Sequence, residues 1–175
     1  ALDNQAEGVN YIEVRFAPQL LMDPAAGIDF DRIMHTVNNG LKRAMHEYNS
    51  HDQVQHGHKP PFAYGIINCA MRMFSGKGFS PYYTNLFQLM RDFDPMQVIK
   101  LAAMELVRAS VRLRDEAGIP IVALDLAGQE SGFPAHNFKE VYEYAHQHFL
   151  LKTLYAGEAY GAESVFEAIT ECYAD

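Results

Sequence analysis

Ile119-Pro-Ile-Val-Ala-Leu-Asp125, running on into Leu126-Ala-Gly-Gln-Glu130, is the stretch that decides the fold. Its branched and apolar residues fall on both faces, the composition of a strand buried on each side within a parallel sheet. Such a strand needs a helix before it and a helix after it. Upstream, Met96, Ile99, Ala103, Leu106, Ser110 and Leu113 recur at helical spacing, and Gly118 ends that run. Asp94-Pro95 and Ser80-Pro81 each pair a capping side chain with a proline at the first helical position. Downstream, a helix is expected over about 137–149, then a short strand, Leu151-Lys-Thr-Leu-Tyr155. A last helix over 163–173 is expected to pack through Val165, Phe166, Ile169 and Cys172.

Toward the N-terminus the same alternation continues. Val9 to Phe16 places Tyr11, Glu13 and Arg15 on one face and Ile12, Val14 and Phe16 on the other, the period of a strand. A helix follows from Phe30 to about Tyr48, capped by Asp29 or Asp31, then a polar loop over 49–61 and a second strand over 62–71. Strands joined by long helical crossovers are parallel, in a doubly wound sheet or in a (β/α) barrel. A closed eight-stranded barrel takes about 250 residues, whereas this chain has 175 and four strand–helix units. It reads as one partial domain over 1–175, with two open sheet edges and a bare face through which self-association is expected.

Hydrophobic residues make up 49% and charged residues 21% of the chain, as expected of a globular protein with a core. The net charge of −8 gives no general attraction to nucleic acid or to an anionic membrane surface. The longest apolar stretches, 64–74 and 118–128, are about ten residues, well short of the roughly 20 that span a bilayer. Ala1-Leu-Asp-Asn-Gln carries no signal-peptide pattern and no initiator Met, which suggests a processed chain or a fragment. Cys69 and Cys172 sit in apolar surroundings outside any C-x-x-C pair, so both are expected to be buried reduced thiols of a cytoplasmic protein.

Each strand delivers polar residues near its C-terminal end: Glu13 and Arg15, Asn68 and Arg72, Asp125, and Glu158. Parallel α/β folds build their sites at that end. Gly128 would let a planar ligand approach the backbone closely. Glu158, on the turn of Thr153-Leu-Tyr-Ala-Gly-Glu158, suits a general acid or base whose pKa burial would raise. Other histidine spacings are weaker: His56-Gly-His58 lies in a polar loop, and His146-Gln-His148 points to different sides of a helix. The H-x-E…P-C-x-x-C signature of the cytidine-type zinc deaminases is missing.

Tyr11-Ile-Glu-Val-Arg-Phe-Ala-Pro18, Asp125-Leu-Ala-Gly-Gln-Glu130 and Thr153-Leu-Tyr-Ala-Gly-Glu-Ala-Tyr-Gly161, in that order, resemble the adenosine deaminase family of metal-dependent amidohydrolases. The resemblance implies an α/β fold, a parallel (β/α)8 TIM-type barrel, of which this chain covers strands two to five. It implies zinc-dependent conversion of adenosine and water to inosine and ammonia, with a purine nucleoside as the small-molecule partner. Glu158 matches the acid/base glutamate, and Gly128 the glycine whose amide meets the purine. Asp125 is a candidate for substrate contact or for framework, and Arg15 and Glu130 for framework. The family's strand-five zinc ligand is a histidine, and Tyr155 holds that position here. The remaining ligands of the family, a His-x-His pair and an aspartate, have no counterpart in the matched motifs, so the chain by itself is expected to be inactive. Two rival readings are a catalytically impaired relative that binds purines or serves in assembly, which Tyr155 favours, and a self-contained flavodoxin-like nucleotide-binding domain.

Overall fold

Four strands, β1 (Tyr11–Phe16), β2 (Ala63–Met71), β3 (Ile121–Ala127) and β4 (Leu151–Lys152), pair in parallel in their sequence order in a computed structural model that describes all 175 residues. The helices are α1 (Leu2–Ala6), α2 (Phe30–Asn49), α3 (Asp52–Gln55), α4 (Pro81–Leu89), α5 (Pro95–Ala117), α6 (Lys139–Gln147) and α7 (Ala162–Glu171). A doubly wound sheet reverses its strand order at a switch point. The unbroken order here is that of successive barrel units and overturns the flavodoxin-like alternative.

The expected helix starts are in place. Asp29 accepts the Arg32 N–H (2.8 Å), Asp94 that of Met96 (2.9 Å) and Ser80 that of Tyr83 (3.3 Å), so each side chain satisfies a donor the first turn leaves free. Gly118 closes α5 in the left-handed region at φ +64°. The core lies between the sheet and its helices, where Ile66, Leu124 and Leu126 of the strands meet Leu106 and Val107 of α5. Asn68 also points to this side, where its Nδ2 donates to Ser110 Oγ (2.8 Å). It therefore belongs to the helix-facing core and not to the strand-end site expected for it.

The opposite, inner face carries Glu13, Arg15, Gly65, Cys69 and Asp125. Between the pairs Ile66↔Ile121 and Ile67↔Ala123 the register slips by one residue, a β-bulge at Val122. The bulge turns Val122 onto Gly65. A side-chain carbon at Gly65 would lie 2.8 and 2.9 Å from the Val122 methyls and 2.9 Å from the Tyr11 hydroxyl.

The structure departs from expectation in three further places. Regular β4 ends at Lys152, although Thr153 N–H still bonds Leu124 O (2.9 Å) and Tyr155 N–H bonds Leu126 O (3.3 Å). The polar loop contains the short helix α3. Helix α7 buries Ser164 and Ala168, with Cys172 buried at its C-terminal cap, and leaves Val165, Phe166 and Ile169 exposed, so only Cys172 of the expected apolar face packs inward. No helix is long and apolar enough to cross a membrane. Both cysteines are free and buried, and burial above all pushes each thiol up to about 12.

Candidate active site

Asp125, near the C-terminal end of β3, is 2% exposed and has both oxygens engaged. Its Oδ2 accepts from Arg15 Nη1 (2.8 Å) and its Oδ1 from the Thr153 hydroxyl (2.9 Å), which links β1, β3 and the segment after β4. Arg15 also donates through Nη2 to the Tyr155 hydroxyl (2.9 Å), with its guanidinium 4.9 Å from the centre of the Tyr155 ring. The Tyr155 hydrogen bond is the largest influence on Arg15. Together with the Asp125 carboxylate it outweighs partial burial and holds the guanidinium above its usual pKa. Both oxygens of Asp125, the candidate for substrate contact or framework, are thus taken up by hydrogen bonds within the chain, one to β1 and one to the segment after β4.

Glu130 lies three residues past β3 and is equally buried. Its Oε1 accepts the Gly157 N–H (3.0 Å) and the Ser164 hydroxyl, and its Oε2 accepts the Ala159 N–H (2.5 Å). Burial, the largest single influence, would raise its pKa. The Ala159 amide, the Ser164 hydroxyl, the Gly157 amide and the Arg72 charge together prevail and hold the carboxyl below its usual range. Arg72 is fully buried. It donates through Nη1 to Phe133 O (2.8 Å) and through Nη2 to Tyr155 O, while its Nε has no partner. Arg72 is therefore a buttress behind the strand ends, not an exposed site charge.

Glu158 sits between the two amides that Glu130 holds, and its side chain is exposed at the C-terminal edge of the sheet. The burial expected for it is not supplied by this chain. Gly157 (φ +93°) permits the turn, and a side-chain carbon there would meet a Val165 methyl at 2.9 Å. Gly128, at φ +107°, is the first residue past β3, and a side-chain carbon there would lie 3.6 Å from the Arg72 backbone nitrogen and from the Met71 methyl.

Zinc sites take three or four protein ligands from His, Cys, Asp and Glu. No group of three or more such residues is gathered anywhere in this structure. The Tyr155 oxygen, at the position implied as a ligand, accepts a hydrogen bond from a guanidinium, a fixed positive charge next to the place a cation would occupy. His56 bonds the Asp52 carbonyl through Nδ1 (2.8 Å), and His146 and His148 stack on Tyr173 and Tyr144. The residues of this chain do not fit a zinc site.

The adenosine deaminase family model matches residues 1–175. The chain belongs to the adenosine deaminase family. It is 32% identical to the adenosine deaminase of Mycobacterium bovis over 183 aligned positions, which cover 100% of this chain and 38% of that protein. Among solved structures, an N6-mAMP deaminase from Arabidopsis aligns at TM-score 0.64 and 20% identity, over 96% of this chain and 40% of that one. An amidohydrolase from Burkholderia ambifaria, with bound Zn, aligns at TM-score 0.65 and 14% identity, over 99% of this chain and 37% of that one. The fold is therefore that of deaminase and amidohydrolase barrels, seen here as four consecutive strand–helix units. The chain spans about 38% of the length of the curated relatives it matches.

Sequence reasoning did not identify Ser164 as a partner of Glu130, nor Arg72 as a link between two loops. A hydroxyl in the first turn of α7 was the one available signal for Ser164.

Proposed function

We propose that the whole protein hydrolyses the amino group of a purine nucleoside, with adenosine as the expected substrate, releasing inosine and ammonia, and that this chain supplies the purine-facing part of the site. One observation carries the reading. Glu158, the carboxylate that family resemblance makes the acid/base group, stands free at the strand ends on a turn whose flanking amides are both fixed. Water attack at C6 places electron density on the adjacent ring nitrogen N1, and a carboxyl in hydrogen-bond reach of N1 supplies the proton that neutralises it. Gly128, having no side chain, lets the purine edge come close to its backbone N–H. The buried reduced thiols accord with a cytoplasmic location.

The test is adenosine turnover by the full-length protein. Glu158→Gln is expected to lower kcat by at least about 10²-fold with KM within a few-fold of wild type. Wild-type turnover by that variant refutes the assignment. The Arg15–Tyr155 contact favours a second reading, a relative that binds purine nucleosides without turning them over. Its signature is saturable adenosine binding by the wild type with no inosine formed.

A further inference from the structure

We infer that Glu130 is a positioning residue for Glu158, setting the direction of its side chain from behind the turn, an inference that rests on reading Glu158 as the acid/base group. Glu130 is too deeply buried to touch a substrate in the rim, so any influence on the reaction passes through the backbone it binds. That backbone has little other support. The regular ladder stops at Lys152, and the last amide bonded to β3 is that of Tyr155.

Beyond Tyr155 the Glu130 carboxylate takes over. One planar group receives the Gly157 N–H on one oxygen and the Ala159 N–H on the other, so the 156–157 and 158–159 peptides, on either side of the Gly157–Glu158 link, are both fixed relative to it. With both neighbours held, the Cα–Cβ direction of Glu158 is set. The carboxylate is itself immobilised. Its own loop turns back through the Phe133 N–H to Glu130 O (2.9 Å), and Phe133 O is held by Arg72, which also holds Tyr155 O. The contacts close into a ring: Glu130, Phe133, Arg72, Tyr155, Gly157, and Glu130 again. Ser164 extends it to the first turn of α7.

The ring requires an anion. Hydrogen bonds to a charged acceptor are shorter and roughly twice as strong as neutral ones. All three donors converge on one group that has no proton to place among them. In Glu130→Gln the side-chain amide turns its NH₂ toward one of these N–H groups, which loses its acceptor and faces a donor. The shape is kept while one flank of Glu158 is released.

The experiment uses the full-length protein and compares wild type, Glu130→Gln, Glu130→Asp, Ser164→Ala and Glu158→Gln. Its readouts are adenosine kcat and KM, the pH profile of kcat, and the amide proton shifts of Gly157 and Ala159. Glu130→Gln is expected to lower kcat by about 10-fold to 100-fold, the scale of a misplaced catalytic group. KM is expected to change little, the limb of the pH profile governed by Glu158 to move, and at least one of the two amide resonances to shift upfield. Glu130→Asp, which keeps the charge on a shorter arm, is expected to recover part of kcat. Wild-type kcat and pH profile in Glu130→Gln, alongside an inactive Glu158→Gln, overturn the positioning role and leave the Glu158 assignment standing. A fully active Glu158→Gln, or a wild type without turnover, overturns both. If Glu130→Gln does not fold, Ser164→Ala decides: a several-fold loss of kcat supports the role, and unchanged kcat with an unchanged pH profile overturns it.

Discussion

Gly65→Ala adds a single carbon at the tightest point of the inner sheet face, and its cost follows from the surroundings. The new carbon would sit 2.8 and 2.9 Å from the two Val122 methyls and 2.9 Å from the Tyr11 hydroxyl, about half an ångström inside the 3.4 Å at which ordinary contact begins. Tyr11 is half exposed and swings outward at the expense of one surface hydrogen bond to Glu13 (2.8 Å). Val122 cannot yield in the same way, because a β-branched side chain in a bulge has few rotamers to move to. Overpacking of this kind costs about 1–3 kcal/mol. Against it stands the lower chain entropy of alanine in the unfolded state, worth about 0.4–1 kcal/mol. The clash prevails, with a net loss of about 1–2 kcal/mol. Urea unfolding of wild type, Gly65→Ala, Val122→Ala and the double variant measures it as a change in midpoint at constant slope. Val122→Ala removes both offending methyls, so the double variant should recover about 1 kcal/mol relative to the sum of the single changes. A Gly65→Ala protein as stable as wild type, or strictly additive behaviour, would refute the steric argument.

The acid limb of stability provides another test. Glu130 has its folded pKa held below the usual carboxylate value, so its contribution is fully present above about pH 4.3 and is lost as pH falls through the folded value. Urea midpoints between neutral pH and pH 3 should therefore fall less steeply in Glu130→Gln, and parallel curves would contradict the linkage. At the Arg15 contact, Tyr155→His in the full-length protein exchanges a phenol, which binds metal well only after losing its proton, for an imidazole that binds zinc while neutral. Metal analysis at equal protein concentration should show zinc rising toward one per chain, whereas equal zinc in both proteins would remove this position from the metal site.

What was legible in the sequence was local. Asp29, Ser80 and Asp94 cap helices by reaching amides two or three residues ahead, so their chemistry is visible within a few letters. The branched run of β3 likewise announces a strand covered on both faces. The short β4 is different, because the carbonyls of Leu124 and Leu126 set the pairing beyond it and nothing in residues 151–155 records where the ladder ends. In α7, Val165, Phe166 and Ile169 form the more hydrophobic stripe. The buried stripe is Ser164, Ala168 and Cys172, drawn inward by the Glu130 carboxylate at one end and by Ala135, whose carbonyl Cys172 approaches at 3.4 Å, at the other. The candidate site divides in the same way. The strand-end motifs single out Asp125, Glu130 and Glu158, but their partners lie far off in sequence: Arg15 is 110 residues from Asp125, and Gly157 is 27 from Glu130. Arg72 looked like a site charge because charge alone does not distinguish a buried buttress from a solvent-facing group.

The ring of contacts through Arg72 also bears on how barrel loops are exchanged. Barrels diversify by varying the loops at the C-terminal ends of their strands, each in principle independent of its neighbours. Here that independence fails. A graft of residues 153–161 onto another scaffold would carry Glu158 but leave its two flanking amides without an acceptor, because that acceptor resides in the preceding loop. Residues 128–134 would have to travel with it, and the recipient would need an arginine at the position of Arg72 to tie the two loops together. The smallest transplantable cassette in this part of the barrel is thus a pair of loops with a common anchor.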